Sequence, residues 1–352
     1  MAGKKWTKPC SASGIDGYRL HRHNFKKTMK KKLKIDVANF WKGFREREVY
    51  HDYFFNLLRE RYDVEFSDNP DVIFFSIFPD NLKDHRNYRC LKIFYNGENV
   101  SPPDYEYDYS FSFEETDEKN FQLPNFVRHP FFQEFRKQEF SAPARELRDY
   151  PKTKFCNFIY SNPRALERQV FCRKLMEYKP VDCPGRVLNN MAGLNAGWDE
   201  KLNFLKQYKF TIAFENVSAP RYTTEKIYHP LLVKSIPIYW GNPDVAEYFN
   251  PASFINCHDY ENFDQVIAHV KEIDNDNNLY RQYLDVNPVS KNSKLRNFAE
   301  AAILDRLDKI LAPILQAKAI SQGESAKGFF GEYPKWVKNI ESFAKKLKKN
   351  RG

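Results

Sequence analysis

The residues best placed to do chemistry lie in one stretch, residues 214–242. Glu215 and Asn216 directly follow an apolar run, and Glu225 and Lys226 fall in the first turn of the next segment with helical periodicity. A helix that begins there presents free backbone N–H groups, and the lysine adds a positive charge, so the stretch could bind a diphosphate. An ordinary helix start, in which Glu225 only complements the helix dipole, explains the same residues. Neither GxGxxG nor GxxxxGK[ST] is present to decide between the two.

Two sets of predicted elements position these residues. In each half of the chain, apolar runs with strand character alternate with segments of helical period, which predicts two α/β domains with parallel sheets. Ligands of such sheets bind beyond the carboxyl ends of the strands, where Gly241 is expected to let the backbone turn sharply beside a ligand. The predicted strands are 33–40, 71–78, 90–95, 107–113, 155–160, 210–214, 236–240 and 254–257, and the predicted helices are 48–61, 163–178, 198–208, 262–273, 294–319 and one that starts near Thr224.

This alternation divides the chain into four segments. Residues 1–32 are polar and Lys-rich, and we expect a disordered basic lead. Residues 33–150 are predicted to form the first domain, and residues 151–320 the second domain, which the helix at 294–319 closes. The end of the first domain is rich in Pro, Arg and aromatic side chains without a clear period, which places the domain crossing there. Residues 321–352 are predicted to form a linker and a basic tail.

Composition narrows the classes of function. The chain has a net charge of +10, which suits phosphorylated substrates, anionic membranes or nucleic acid. Zinc-finger and RNP-type patterns are absent, so we expect no nucleic-acid partner. The six cysteines form no CxxC pair, which favours reduced thiols in a cytoplasmic protein. The sequence also lacks a signal peptide and an apolar run of about 18 residues, so no membrane-spanning helix is predicted.

Four consecutive motifs, FEN, YTTEKI, IPIYWGNPDV and FNPASFINCHDY, resemble the donor-binding region of the α1,3-fucosyltransferases of glycosyltransferase family 10. The similarity is contiguous over residues 214–260. Weaker similarity extends to SNPRALERQVF at 161–171 and YNGENVSP at 95–102, and it is strongest with bacterial members. In all, the resemblance covers about residues 33–285. Residues beyond Asn287 do not resemble the heptad-repeat extensions of the family, so repeat-based oligomerisation is not expected.

The resemblance implies a fold and an activity. The fold is GT-B, with two facing Rossmann-like domains and a cleft between them, of which residues 33–150 would bind the acceptor and residues 151–320 GDP-fucose. The strand alternation predicts the same arrangement of two halves. The activity is inverting transfer of L-fucose from GDP-fucose to a hydroxyl of a glycan acceptor. The expected acceptor position is O3 of GlcNAc in a Gal-GlcNAc unit of a lipopolysaccharide-like, Lewis-type glycan. The linkage, α1,3 against α1,4 or α1,2, stays open.

Donor-binding residues follow from the resemblance, position by position. Arg168, Asn216, Tyr222, Glu225 and Lys226 match residues that contact the nucleotide sugar. Lys226 would contact phosphate, Glu225 would bind hydroxyls of ribose or fucose, and Arg168 would hold two diphosphate oxygens with its planar fork. The alternative for Arg168 is a surface ion pair with an acid on its own helix.

Glu98, in the GEN motif directly after the strand 90–95, matches the proposed catalytic base of the family. Inversion at the anomeric carbon needs a carboxylate that takes the proton of the acceptor hydroxyl. Alternatively, Glu98 only caps a turn, in which case Glu215 is the rival base. The acceptor is expected to contact Asn39 and Trp41.

A possible metal motif is Asp274-Asn275-Asp276, which has the DxD form that holds Mn²⁺ or Mg²⁺ on the diphosphate in single-Rossmann sugar-nucleotide transferases. The motif lies at the end of a predicted helix among asparagines, a setting typical of solvated turns. GT-B enzymes neutralise the diphosphate with Arg and Lys instead. We therefore expect neither a metal nor a cofactor.

The tail carries a membrane-surface pattern. Within residues 333–349, Trp336, Ile340, Phe343 and Leu347 recur at helical spacing, opposite a face rich in lysine. Such a helix lies in an anionic membrane interface or packs on the protein itself. A peripheral location on the cytoplasmic face is therefore one expectation. Two other functions remain open: a related transferase that uses another nucleotide sugar, and a non-catalytic glycan-binding protein at the membrane surface.

Overall fold

A computed structural model describes residues 30–78, 84–102, 106–128, 149–194 and 197–321, together with 132, 135 and 136. The tail segment 333–349 and nearly all of the basic lead lie outside the described residues. Within the described part of the chain, no helix is both long and apolar enough to cross a membrane.

The first half of the chain forms a six-stranded parallel sheet in the order β2-β1-β3-β4-β5-β6. Helix α1 (Tyr53–Arg61) connects the first two strands, and Asp52 caps it by accepting from the N–H groups of Phe54 and Phe55. The strands are β1 (Lys31–Ala38), β2 (Tyr62–Phe66), β3 (Val72–Phe75), β4 (Leu91–Tyr95), β5 (Tyr109–Ser112) and β6 (Asn120–Gln122).

The second half forms a five-stranded parallel sheet in the order β11-β10-β9-β7-β8. Its strands are β7 (Lys154–Asn157), β8 (Val181–Asp182), β9 (Tyr208–Phe214), β10 (Ile236–Trp240) and β11 (Ile255–Asn256). The helices of this half are α2 (Glu167–Met176), α3 (Trp198–Leu205), α4 (Glu225–Leu232), α5 (Phe263–Asn275), α6 (Asn277–Asp285) and α7 (Glu300–Ser321).

The structure corrects several predicted elements. Strand β1 begins at Lys31, inside the segment predicted as a disordered lead. The helix predicted over 48–61 is a 3₁₀ turn, Glu48–Tyr50, followed by α1. Strands β2, β6 and β8 were not predicted, and each lies at the edge of its sheet. Edge strands are short and half solvated, so they lack the apolar run that indicates a buried strand.

Helix α7 does not close the second domain as expected. It packs against α1 and β2 of the first, where Asp308 accepts a 2.5 Å hydrogen bond from the hydroxyl of Tyr62. Lys318 adds a 2.7 Å ion pair with Asp71. The helical period predicted a buried stripe, but periodicity alone does not identify the domain that the stripe contacts. The buried stripe includes Ile303, Leu307, Ile310, Leu311 and Ile314.

The sheet register places the candidate residues at the carboxyl edges of both sheets. Phe214 pairs with Trp240 at the ends of β9 and β10, so the loops after these two strands lie side by side. In the first sheet, Tyr95 pairs with Phe111 near the ends of β4 and β5. The chain therefore presents one loop cluster from each domain, and the two clusters meet where Tyr222 contacts the ring edge of Phe113.

Candidate active site

A buried carboxylate organises the start of helix α4. Glu215, the residue after β9, is fully buried and accepts from the backbone N–H of Thr224 at 2.7 Å and from Lys226 Nζ at 3.0 Å. The hydroxyl of Thr224 also donates to Glu215 and makes no capping hydrogen bond to helix α4. Lys226 donates further to this hydroxyl at 2.8 Å, which leaves the third proton of its ammonium for another acceptor.

Neighbouring charges favour the charged forms of Lys226 and Glu225. Burial alone would lower the pKa of Lys226, but the carboxylates of Glu215 and Glu225 hold that pKa well above its ordinary value. Burial likewise opposes ionisation of Glu225, but Lys226 and Lys201 outweigh it and lower its pKa to about 2. Lys201 Nζ lies 3.9 Å from Glu225 Oε1. Burial raises the pKa of Glu215 and lowers that of Lys201. The site thus combines two lysines with two glutamates, and the Glu215 side chain is fully buried.

Arg168 lies on α2 and is almost completely buried, with an exposed fraction of 1%. Its guanidinium carbon sits 4.1 Å from the centroid of the Tyr160 ring, and its Nη1 donates to Asn216 Oδ1 at 3.0 Å. Its Nη2 donates to the carbonyl of Asn162 at 2.6 Å. The alternative of a surface ion pair is wrong, because this arginine is buried and its side-chain bonds go to an amide and a carbonyl. The structure therefore brings Arg168 and Asn216 together.

The loop between β9 and α4 is fixed from the adjacent loop after β10. The fully buried Asn242 accepts from the N–H of Arg221 at 2.8 Å and donates to the hydroxyl of Thr223 at 3.0 Å. Gly241 has φ +155°, and a Cβ there would lie 2.5 Å from Glu215 Cγ. This glycine therefore makes room for the Glu215 side chain. That it also lets the backbone turn beside a ligand stays a prediction. Tyr222, in the same loop, is buried.

Glu98 lies in the turn after β4, on the facing domain. The buried amide of Asn96 accepts from the N–H of Glu98 at 3.1 Å and donates to the carbonyls of Glu98 and Val100. Asn96, not Glu98, therefore organises this turn, and no described residue donates a hydrogen bond to the Glu98 carboxylate. Burial raises the pKa of Tyr222, the Glu215 charge raises it further, and the Glu98 charge adds to this shift from across the cleft.

The predicted acceptor residues lie at the end of β1. Asn39 has a left-handed backbone, φ +56°, and its Oδ1 is 2.8 Å from Nδ1 of His85. Trp41 is 37% exposed and meets Phe44 and Phe78 edge to face. An exposed indole beside aromatic neighbours can stack on a sugar ring. The acceptor role of both residues stays a prediction.

The DxD residues serve the protein itself. Asp274 accepts from the hydroxyl of Tyr178 at 3.0 Å and from the ammonium groups of Lys179 and Lys209. Asp276 caps α6. Within the described residues, no group of three or more His, Cys, Asp or Glu side chains could hold a metal ion.

Sequence reasoning missed the supporting residues of this site. Lys201, Tyr160 and Asn242 approach it from α3, the end of β7 and the loop after β10. Only Asn242 carried a signal, because it ends the YWGN stretch of the donor motif. A lysine in an amphipathic helix and a tyrosine after a strand are too common to indicate a site.

Two family descriptions match the two halves of the chain. Residues 35–135 match the N-terminal domain of α-(1,3)-fucosyltransferase FucT, and residues 150–307 match the C-terminal part of glycosyltransferase family 10 (fucosyltransferase). The chain belongs to glycosyltransferase family 10. The resemblance inferred from the sequence motifs is thereby confirmed.

Individual relatives agree with this family. The α-(1,3)-fucosyltransferase FucT of Helicobacter pylori is 33% identical over 293 residues, which are 73% of this chain and 60% of the relative. The α-(1,3)-fucosyltransferase B of Drosophila melanogaster is 32% identical over 37% of this chain and 33% of its own length. This family 10 chain therefore spans less than two thirds of the length of these two relatives.

Solved structures give the same fold. A crystal structure of an α1,3-fucosyltransferase superposes with a TM-score of 0.71 at 28% identity, covering 82% of this chain and 93% of that one. The structure of an α1,3-fucosyltransferase with GDP-fucose gives a TM-score of 0.69 over the same fractions. The expected GT-B architecture of this family 10 member is confirmed.

Proposed function

We propose that this chain transfers L-fucose from GDP-fucose to a hydroxyl of a glycan acceptor, with inversion at the anomeric carbon. The observation that carries the proposal is the cluster of Arg168, Asn216, Glu225 and Lys226 at the carboxyl edge of the second sheet, facing the Glu98 turn of the first domain. Membership of family 10, and a solved relative that binds GDP-fucose, support the choice of donor.

The reaction divides between the two domains. Glu98, whose carboxylate accepts no hydrogen bond from the described residues, takes the proton of the acceptor hydroxyl. The hydroxyl oxygen then attacks the anomeric carbon while the bond from that carbon to the β-phosphate oxygen breaks. GDP leaves with its additional charge stabilised by Arg168 and the free proton of Lys226. A diphosphate needs no acid to leave, so one carboxylate suffices.

The remaining donor residues have narrower roles in this proposal. Glu225, kept ionised by two lysines, accepts hydrogen bonds from hydroxyls of ribose or fucose. Asn216 and Tyr222 contact the nucleotide sugar from the same loop. Glu215 is not the base, because both of its oxygens bond Thr224 and Lys226 inside the protein. Its function is to hold Lys226 in place.

For the acceptor, we propose O3 of GlcNAc in a Gal-GlcNAc unit, bound near Asn39 and Trp41. The relatives named α-(1,3)-fucosyltransferase support the 3-linkage, and the choice of the Gal-GlcNAc unit rests on the sequence resemblance. The proposed reaction requires neither a metal nor a cofactor, because protein cations face the diphosphate.

The test is a matrix of nucleotide sugars against defined acceptors, with product linkage and anomeric configuration read by NMR. GDP-fucose with N-acetyllactosamine should give a fucosylated product whose anomeric configuration is opposite to that of the donor. The activity should survive EDTA. Transfer from a different nucleotide sugar would identify a related transferase, and acceptor binding without GDP release would identify a glycan-binding protein. Loss of activity on chelation, restored by Mn²⁺, would contradict the metal-independent mechanism.

A further inference from the structure

The carboxylate of Glu114 joins two segments across the cleft. One is the donor loop, residues 215–224 between β9 and α4, and the other is the Glu98 turn, residues 96–101. Arg221 Nη2, from the second domain, donates to Glu114 Oε2 at 2.7 Å. Ser101 Oγ, from the first domain, donates to Glu114 Oε1 at 2.6 Å. Both oxygens of Glu114 are therefore used, one by each domain, and Ser101 lies only three residues after Glu98.

Arg221, the donor-loop residue that bonds Glu114, has an unusual backbone. Arg221 has φ +63°, a region that residues with a side chain rarely adopt. Its N–H is held by the buried Asn242, and its Nε is buried without a hydrogen-bond partner among the described residues. Such a conformation persists where the surroundings fix it, and it often marks a functional position. Here it accompanies a guanidinium that reaches the facing domain.

The Glu98 turn is held at both of its ends. Asn96 fixes the turn from the end of β4 through bonds to Glu98 and Val100. Ser101 fixes its other end through Glu114, which directly follows Phe113 near the end of β5. A shift of Glu114 would therefore be transmitted to a turn that contains the proposed base.

We propose that Arg221 and Glu114 are positioning residues, which set the place of the Glu98 carboxylate relative to the donor loop. The inference rests on the proposed function, in which Glu98 is the base. The two side chains are 32% and 28% exposed, so the ion pair by itself contributes little to stability. Its effect is on geometry, because small displacements of reacting groups reduce rates strongly.

A double-mutant cycle tests this coupling. We expect Arg221→Ala and Glu114→Ala each to lower kcat for fucosyl transfer about tenfold, and the double variant to lose no more than either single variant. The dissociation constant for GDP should stay near the wild-type value in all three. Asp264→Ala is the control, because it breaks a 2.7 Å pair with Lys174 that lies entirely within the second domain. Losses that multiply in the double variant would overturn the proposal.

Amide hydrogen exchange provides a readout that does not need activity. Arg221→Ala should accelerate exchange in residues 96–101 of the opposite domain, whereas Asp264→Ala should not. Unchanged protection of this turn in Arg221→Ala would overturn the coupling. A wild-type protein that binds GDP but transfers no fucose would overturn the proposed function instead, and the exchange result would then decide the coupling alone.

Discussion

At the scale of single residues, the site is organised around the buried carboxylate of Glu215, which bonds to other protein groups. Glu215 is fully buried and is compensated by Lys226 and by the N–H and hydroxyl groups of Thr224. A buried carboxylate without such partners would cost several kcal/mol. The pair therefore fixes the position of Lys226, and the two neighbouring carboxylates hold the pKa of this lysine well above its ordinary value.

The buried arginine should dominate nucleotide binding. We expect Arg168→Ala to weaken GDP binding roughly ten- to hundredfold, because it removes charged hydrogen bonds to a buried anion. Isothermal titration with GDP measures this, with Arg173→Ala, an exposed arginine on the same helix, as the control. Equal GDP affinity of the two variants would contradict the assignment.

The role of Lys226 cannot be tested by Lys226→Ala alone, because this variant leaves the Glu215 carboxylate buried and unpaired. The double variant Glu215→Gln with Lys226→Met removes both charges together. It should fold but bind GDP roughly ten- to hundredfold more weakly than wild type. Near wild-type GDP affinity in the folded double variant would exclude Lys226 from the diphosphate site.

Glu225 should make stability depend on acidic pH. Its pKa in the folded protein, about 2, is below its ordinary value of 4.5, so the ionised carboxylate stabilises the fold above that ordinary value. This contribution is lost as the pH falls from about 4.5 towards 2. The difference in free energy of unfolding between wild type and Glu225→Gln, measured with urea, should therefore shrink from pH 7 to pH 3.5. A difference that is constant or grows would contradict the shift.

Much of the candidate site could be predicted from the sequence, because most of its residues lie close together along the chain. Asn216, Tyr222, Glu225 and Lys226 lie within eleven consecutive positions, so one motif contains them all. Local spacing could not predict the contacts of Arg168 with Tyr160 and Asn216, or of Arg221 with Glu114. These contacts join residues on different elements, and only the packing of those elements brings them together.

At the scale of elements, helix α7 connects the two halves of the molecule. It leaves the second domain and buries its apolar stripe against α1 and β2 of the first. The sequence predicted a helix in this region but not the domain against which the helix packs. It likewise predicted the central strands of both sheets but not the edge strands β2, β6 and β8. Apolar periodicity reports that a face is buried, and it does not report what covers that face.

Truncating this stripe should destabilise the whole protein. Leu307 is fully buried on α7, so Leu307→Ala should lower the free energy of unfolding by about 2–5 kcal/mol. Lys309→Ala, an exposed position two residues later, is the control. Thermal or urea unfolding measures both variants. Equal stability would show that α7 does not pack on the first domain as described.

At the scale of the whole molecule, our proposal about location rests on the sequence pattern of residues 333–349. We propose that this basic segment holds the protein on an anionic membrane surface, where it would meet a lipid-carried glycan. Deleting residues 333–352 should abolish co-sedimentation with anionic vesicles at low salt, because each lysine near such a surface contributes about 1 kcal/mol. Activity on soluble acceptors should remain. A full-length protein that ignores anionic vesicles, or a deletion variant that unfolds, would contradict the proposal.

The central claim is that two facing domains divide one reaction, with the nucleotide sugar bound to the second and Glu98 on the first as the base. Glu98→Gln tests it most directly, because glutamine keeps the shape of the side chain and removes the proton acceptor. The affinity for GDP-fucose and the rate of transfer to N-acetyllactosamine are measured on the same preparation. The account predicts donor affinity near that of wild type and transfer slower by about 10²–10⁴. Transfer within a few-fold of wild type would contradict it.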